Sequence, residues 1–143
     1  MGAYTQRHVN IVDGVVTESY VYTPVIIGKE MVKRVKVTKT LWDTGASATL
    51  ISRRVINVLG LESVGLSGAS GYNGGIDIKD TFLIHLGLPT GDVVTNVVAM
   101  EFDSDDYDVV IGMDVICQGD FVLTNKGSTT FSYRLPSVEE IVF

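Results

Sequence analysis

Short runs rich in valine, isoleucine, threonine and tyrosine, each cut off by glycine, asparagine or aspartate, recur along nearly the whole chain. β-Branched and aromatic side chains suit a pleated, half-buried surface, and turn residues at such close intervals leave little room for helix. The pattern predicts an all-β fold of mostly antiparallel strands. Residues 34–42 show it best, because Val35 and Val37 alternate with Lys36 and Thr38 and so give that strand one wet face. Further strands are expected at 20–27, 76–86, 93–102, 107–111, 121–124 and 129–133, with a terminal strand at 138–143. Asp13-Gly14 readily adopts positive φ angles, which predicts an N-terminal hairpin between 10–12 and 15–17. Gly28-Lys29-Glu30, the acidic residues 103–106 and Asn125-Lys126-Gly127 read as turns.

Two segments break the β pattern toward helix. Val55, Ile56 and Leu59 recur at helical spacing, with Ser52 placed to cap the start and Gly60 to end it. Residues 114–118 can manage a turn or two more. Between 65 and 75 lie Gly65, Gly68, Gly71, Gly74 and Gly75, interleaved with serine, tyrosine and asparagine. That composition is too flexible for a packed strand and predicts a mobile loop or hairpin tip.

A length of 143 residues suits one domain, taken as 1–143, with a sizeable core. The net charge of -6 supplies no basic field to neutralise a phosphate backbone, so nucleic acid is not an expected partner. Cys117 is the single cysteine, and His8 and His85 stand far apart, so neither an internal disulfide nor a metal site is expected. No apolar run approaches the length of a bilayer span, and the N-terminus does not read as a secretory signal. A soluble, cytoplasmic protein with no membrane partner and no cofactor is the expectation.

Chemistry is suggested by Leu41-Trp42-Asp43-Thr44-Gly45-Ala46-Ser47, where a carboxylate sits at the point at which an alternating strand breaks into a turn. Taken alone, Asp-Thr-Gly is an ordinary turn, since aspartate and glycine are common there. Two further elements follow it in order: the glycine-rich stretch Ser70-Gly71-Tyr72-Asn73-Gly74-Gly75 and the run Asp108-Val109-Val110-Ile111-Gly112-Met113-Asp114. Together the three resemble the active-site loop, flap and apolar-apolar-Gly element of the retropepsin-like aspartic proteases, over about residues 20–120.

The resemblance implies a closed-barrel-like retropepsin fold and an aspartic endopeptidase. Asp43 would be catalytic, with Thr44, Gly45 and Ala46 shaping its loop. Tyr72, Asn73, Gly74 and Gly75 would form a flap over substrate, and Ile111 and Gly112 would support the loop from behind in a psi-shaped crossing. One Asp-Thr-Gly supplies half of a two-carboxylate site, so a homodimer acting on a peptide or protein is implied. Viral members pair an Asp directly after the Ala with an Arg directly after the later Gly, whereas this chain has Ser47 and Met113 there. That departure keeps open a catalytically silent peptide-binding or dimerisation module of the same fold. An unrelated β-barrel binder, with the triplet an accident, is the remaining alternative. Asp114 reads as a helix cap, and Trp42 as filling the core.

Overall fold

The computed structural model describes residues 1–24, 33–70 and 74–143. In chain order these form β1 (Gly2–Arg7), β2 (Val15–Tyr22), β3 (Arg34–Trp42), β4 (Leu50–Ser52), α1 (Arg53–Leu59), β5 (Gly65–Ser70), β6 (Ile76–Gly87), β7 (Val93–Phe102), β8 (Val109–Ile111), α2 (Met113–Ile116), β9 (Asp120–Thr124) and β10 (Thr130–Leu135). The fold is all-β with two short helices, as the residue pattern predicts.

One sheet has seven strands in the order β2-β3-β8-β4-β7-β6-β5, and a further β2–β6 pairing bends it into a ring. β6 makes the closure possible through its length. Its residues 76–81 pair with 65–70 of β5, residues 85–87 pair with 20–22 of β2, and β7 pairs along 81–87. Closing a sheet on itself removes exposed edges that would otherwise recruit other chains. A second sheet, β1-β10-β9, lies outside the ring.

The aromatic contacts of Trp42 join the two sheets. Its ring centroid lies 6.3 Å from Phe121, 5.2 Å from Phe131 and 4.8 Å from Tyr133, all tilted, the geometry aromatic pairs prefer. Its indole N–H donates to Thr17 Oγ1 at 2.9 Å, and the Tyr133 hydroxyl donates to the Val115 carbonyl at 3.0 Å, so both buried polar tips are satisfied. Trp42 thus fills the core, as its size suggests.

α1 forms as its sequence predicts. The Ser52 hydroxyl accepts from the Val55 N–H at 3.3 Å, Val55, Ile56 and Leu59 are buried, and Gly60 ends the helix at φ 63°. β3 and β7 occupy the predicted bounds.

Three expectations are corrected. Residues 10–12 and 15–17 do not form a hairpin: the Asn10 side chain accepts from the Val12 N–H at 3.1 Å and folds residues 10–13 into a turn that leaves Ile11 and Val12 exposed. β1 lies earlier, at Gly2–Arg7, and pairs with β10 instead. Residues 65–70 are not loop but strand, because antiparallel pairing to β6 meets their backbone hydrogen bonds despite the glycines. Residues 138–143 form no strand, and Val138, Ile141, Val142 and Phe143 stand exposed without a ladder to join. Residues 28–30 lie outside the described residues.

Candidate active site

Asp43 directly follows β3, and β8 runs parallel beside that strand, with Thr40, Leu41 and Trp42 opposite Val109, Val110 and Ile111. The Asp43 N–H continues the ladder, donating to the Ile111 carbonyl at 2.9 Å. On its other edge β8 pairs antiparallel with β4. The turn between β3 and β4 therefore straddles β8, which is threaded between its two arms. This is the psi-shaped crossing the resemblance implies.

Within β3 the buried residues Thr40 and Trp42 alternate with the outward Lys39 and Leu41. By the same period Asp43 faces outward, with part of its surface exposed. One carboxylate oxygen accepts from the Gly45 N–H at 2.8 Å, and the Ala46 N–H donates to the Asp43 carbonyl at 3.2 Å. The turn is held by its own backbone, while Thr44 and Gly45 remain exposed on the single chain.

Gly112 supports this turn from behind through lack of a side chain. A Cβ there would fall 2.6 Å from the Ala48 carbonyl atoms and 2.9 Å from the Ala46 oxygen, closer than real contacts allow. The close approach lets the Met113 N–H donate to the Ala46 carbonyl at 2.7 Å. Where viral members place a side-chain pair, this chain has a backbone bond one residue earlier, between Met113 and Ala46. Ile111 is fully buried behind Asp43.

The reading of Asp114 as a cap is corrected, since Gly112 occupies the N-cap of α2. The Asp114 carboxylate instead takes both the Thr49 N–H at 3.0 Å and the Thr49 hydroxyl at 2.8 Å. Thr49, fully buried, in turn accepts from the Gly112 N–H at 3.3 Å. Asp114, Thr49 and Gly112 form a clasp across the crossing. Nothing in the sequence marks Thr49, because its partner lies in a distant segment. A second anchor joins the same two regions: Asp108 accepts from Arg54 Nε at 3.0 Å, Arg54 Nη2 at 2.8 Å and the Ser52 hydroxyl at 2.7 Å. The Arg54 guanidinium holds the Asp108 carboxyl below its ordinary range, and Asp108 in return raises Arg54.

Of the glycine-rich stretch, Ser70 ends β5, and Gly74 and Gly75 precede β6, which pairs with β5. Gly74 has φ 74°, a backbone region L side chains rarely adopt, and Gly75 leads into β6. Tyr72 and Asn73 lie outside the described residues. Leu66, Ile76 and Ile78 are exposed, and the register, with Gly68 opposite Ile78 and Ser70 opposite Ile76, puts all three on one side of the hairpin. Among the described residues no cluster of histidine, cysteine, aspartate and glutamate is placed to hold a metal, and no helix is long and apolar enough to cross a membrane.

Ring closure, psi crossing and an aspartate turn define an acid-protease type of β fold. Residues 33–118 match the family model of the gag-polyprotein putative aspartyl protease, and the chain belongs to that retropepsin-like family. A retropepsin-like aspartic protease from Rickettsia conorii, solved as a crystal structure, is similar at a TM-score of 0.54 and 15% identity, over 92% of this chain and 91% of its own. At that identity the likeness concerns the fold. No curated protein matches the chain.

Proposed function

We propose that the chain is an aspartic endopeptidase that works as a homodimer, with Asp43 from each protomer facing the other across a two-fold axis. The observation that carries this reading is the Asp43 turn: a carboxylate that accepts from the Gly45 N–H, on a residue whose backbone N–H donates to the Ile111 carbonyl, turned outward, with Thr44 and Gly45 exposed beside it. An outward carboxylate on a braced turn is half of a two-carboxylate site and lacks only its symmetry mate.

In that dimer the two carboxylates share one proton. The ionised one takes a proton from water as the water oxygen attacks the peptide carbonyl carbon, and the protonated one gives its proton to the carbonyl oxygen. Collapse of the tetrahedral intermediate breaks the C–N bond, with a proton passing to nitrogen. Thr44 bonds across to the partner's turn, Gly45 lets the substrate backbone approach, and Ala46 completes the loop. The β5–β6 hairpin closes over an extended peptide whose apolar side chains near the scissile bond meet Leu66, Ile76 and Ile78, and Tyr72, Asn73, Gly74 and Gly75 take the flap's part in holding it. Ala46 carries no hydroxyl to stabilise the ionised pair, so the pH optimum is expected to be less acidic than in pepsin-like enzymes. A rate maximum below about pH 3.5 would count against that role.

Purified protein incubated with a denatured protein mixture should yield new termini that disappear in Asp43→Asn. Specific activity should rise with protein concentration as dimer forms. Undiminished cleavage by Asp43→Asn sinks the assignment. Ser47 and Met113, in place of the viral side-chain pair, favour one second reading, a silent peptide-binding module of the same fold. It predicts a symmetric dimer that cleaves nothing at any pH.

A further inference from the structure

On the outer face of β2 and β3 lies a cavity of about 390 Å³, lined among others by Asp13, Gly14, Val16, Lys39, Asp106 and Tyr107. Its place relative to Asp43 follows from register. Val15 pairs with Trp42 and Val16 with Leu41, so the chain at Gly14 arrives level with Asp43. Lys39 and Leu41 share the outward side of β3 with Asp43. The cavity therefore adjoins the face that carries the carboxylate, and reaches as far as Lys39. At about 3.3 Å per residue, that spans roughly 13 Å, or about two to four residues of an extended peptide lying along the same face.

The walls are built rather than loose. Asn10 Nδ2 donates to an Asp13 carboxylate oxygen at 3.0 Å, and the Tyr107 hydroxyl donates to the Asp13 carbonyl at 3.5 Å, joining the two loops that flank the cavity. The Ser104 hydroxyl accepts from the N–H groups of Asp106 at 3.1 Å and Tyr107 at 3.2 Å, which fixes the second loop. Among the described residues neither the Asp106 carboxylate nor the Lys39 ammonium takes part in an ion pair. Two carboxylates against one ammonium leave the cavity net negative, in a chain whose own net charge is -6.

We propose that this cavity is a substrate subsite for a basic side chain, a lysine or arginine about two to four residues from the scissile bond. An arginine there donates charge-assisted hydrogen bonds to the Asp106 and Asp13 carboxylates, with its aliphatic stem on Val16 and the Tyr107 ring. A glutamate meets only Lys39 and is repelled by both carboxylates. The subsite deepens the protease reading and rests on it for the direction in which peptide runs.

The test uses full-length Asp43→Asn, so that peptide is bound and not cut, read by fluorescence anisotropy. The probes are labelled decapeptides, apolar around the central bond, with Lys, Glu or Leu at the third position on either side. The Lys peptide is expected to bind about fivefold more tightly than the Leu peptide, consistent with a partly solvated charge pair. Adding Asp106→Asn should abolish that advantage without changing the Leu peptide, and Asp106→Lys should shift preference to the Glu peptide. Equal affinity for the Lys and Leu peptides overturns the subsite. So does binding of none of the peptides, or an equal loss for all of them on Asp106→Asn. Failure of wild-type protein to cleave any substrate would sink the protease reading instead, and the binding preference would still judge the subsite.

Discussion

Gly112→Ala is the sharpest test of how the Asp43 turn is held. The new methyl would sit 2.6 Å from the Ala48 carbonyl carbon and oxygen and 2.9 Å from the Ala46 oxygen, all backbone atoms that cannot swing aside as a side-chain tip can. Overpacking of this kind costs about 1–3 kcal/mol. Moving the turn away also stretches two hydrogen bonds, Met113 N–H to Ala46 at 2.7 Å and Gly112 N–H to the Thr49 hydroxyl at 3.3 Å. At about 1 kcal/mol each when fully lost, partial loss brings the total to roughly 2–4 kcal/mol. With a urea slope of about 2 kcal/mol/M, the unfolding midpoint should fall by about 1–2 M at unchanged slope. Gly60→Ala is the control: its site has φ 63° but nothing within 4 Å, so only the backbone conformation resists, at about 1–2 kcal/mol. Peptide cleavage should collapse in Gly112→Ala, even where urea-free protein remains folded, and persist in Gly60→Ala. If Gly112→Ala unfolds no earlier than Gly60→Ala and cleaves normally, β8 does not brace the turn from behind.

Asp114→Ala leaves the buried Thr49 hydroxyl and N–H without their acceptor and should destabilise by about 2–3 kcal/mol, whereas Asp114→Asn, which keeps one carbonyl oxygen, should cost less; urea midpoints compare them. Asp108 has a folded-state pKa below its unfolded one, so its contribution is full above about pH 4 and is lost as pH falls through the lower value. The stability gap between wild type and Asp108→Asn should therefore be widest near neutrality and narrow below about pH 4, in unfolding curves taken from about pH 2 to 7. A gap that stays constant with pH would remove Arg54 as the cause of the shift. Thr44→Ala should weaken self-association measured by sedimentation without lowering the monomer's unfolding free energy in urea by more than about 0.5 kcal/mol, since Thr44 is exposed on the single chain.

The elements that were legible in the sequence are those whose causes are local. Ser52, Gly60 and the apolar spacing between them specify α1 within nine residues of one another. Val35 and Val37 against Lys36 and Thr38 expose the alternation of β3. The errors fall where a distant partner decides. Gly65–Ser70 looks too glycine-rich for a strand until β6 supplies its ladder. β1 shows little β patterning in Gly-Ala-Tyr-Thr-Gln-Arg and is a strand because β10 lies beside it. Conversely, residues 138–143 carry the composition of a strand and find no neighbour to pair with. The candidate site divides in the same way. Asp43-Thr44-Gly45 and Ile111-Gly112 are readable as motifs, while the Thr49–Asp114 clasp depends on contacts 65 positions apart.

The threading of β8 between β3 and β4 also bears on when the site can exist. A chain made from its N-terminus exposes Asp43 and the whole of β4 to solvent long before the strand that separates them has been synthesised. The Asp43 N–H waits for Ile111, Thr49 for Asp114, and Trp42 for Phe121, Phe131 and Tyr133. Loop closure over such separations makes folding slow compared with local helix or hairpin formation. A nascent chain thus carries the aspartate without the turn that aims it, and acquires an ordered site only after residues 108–133 have been made.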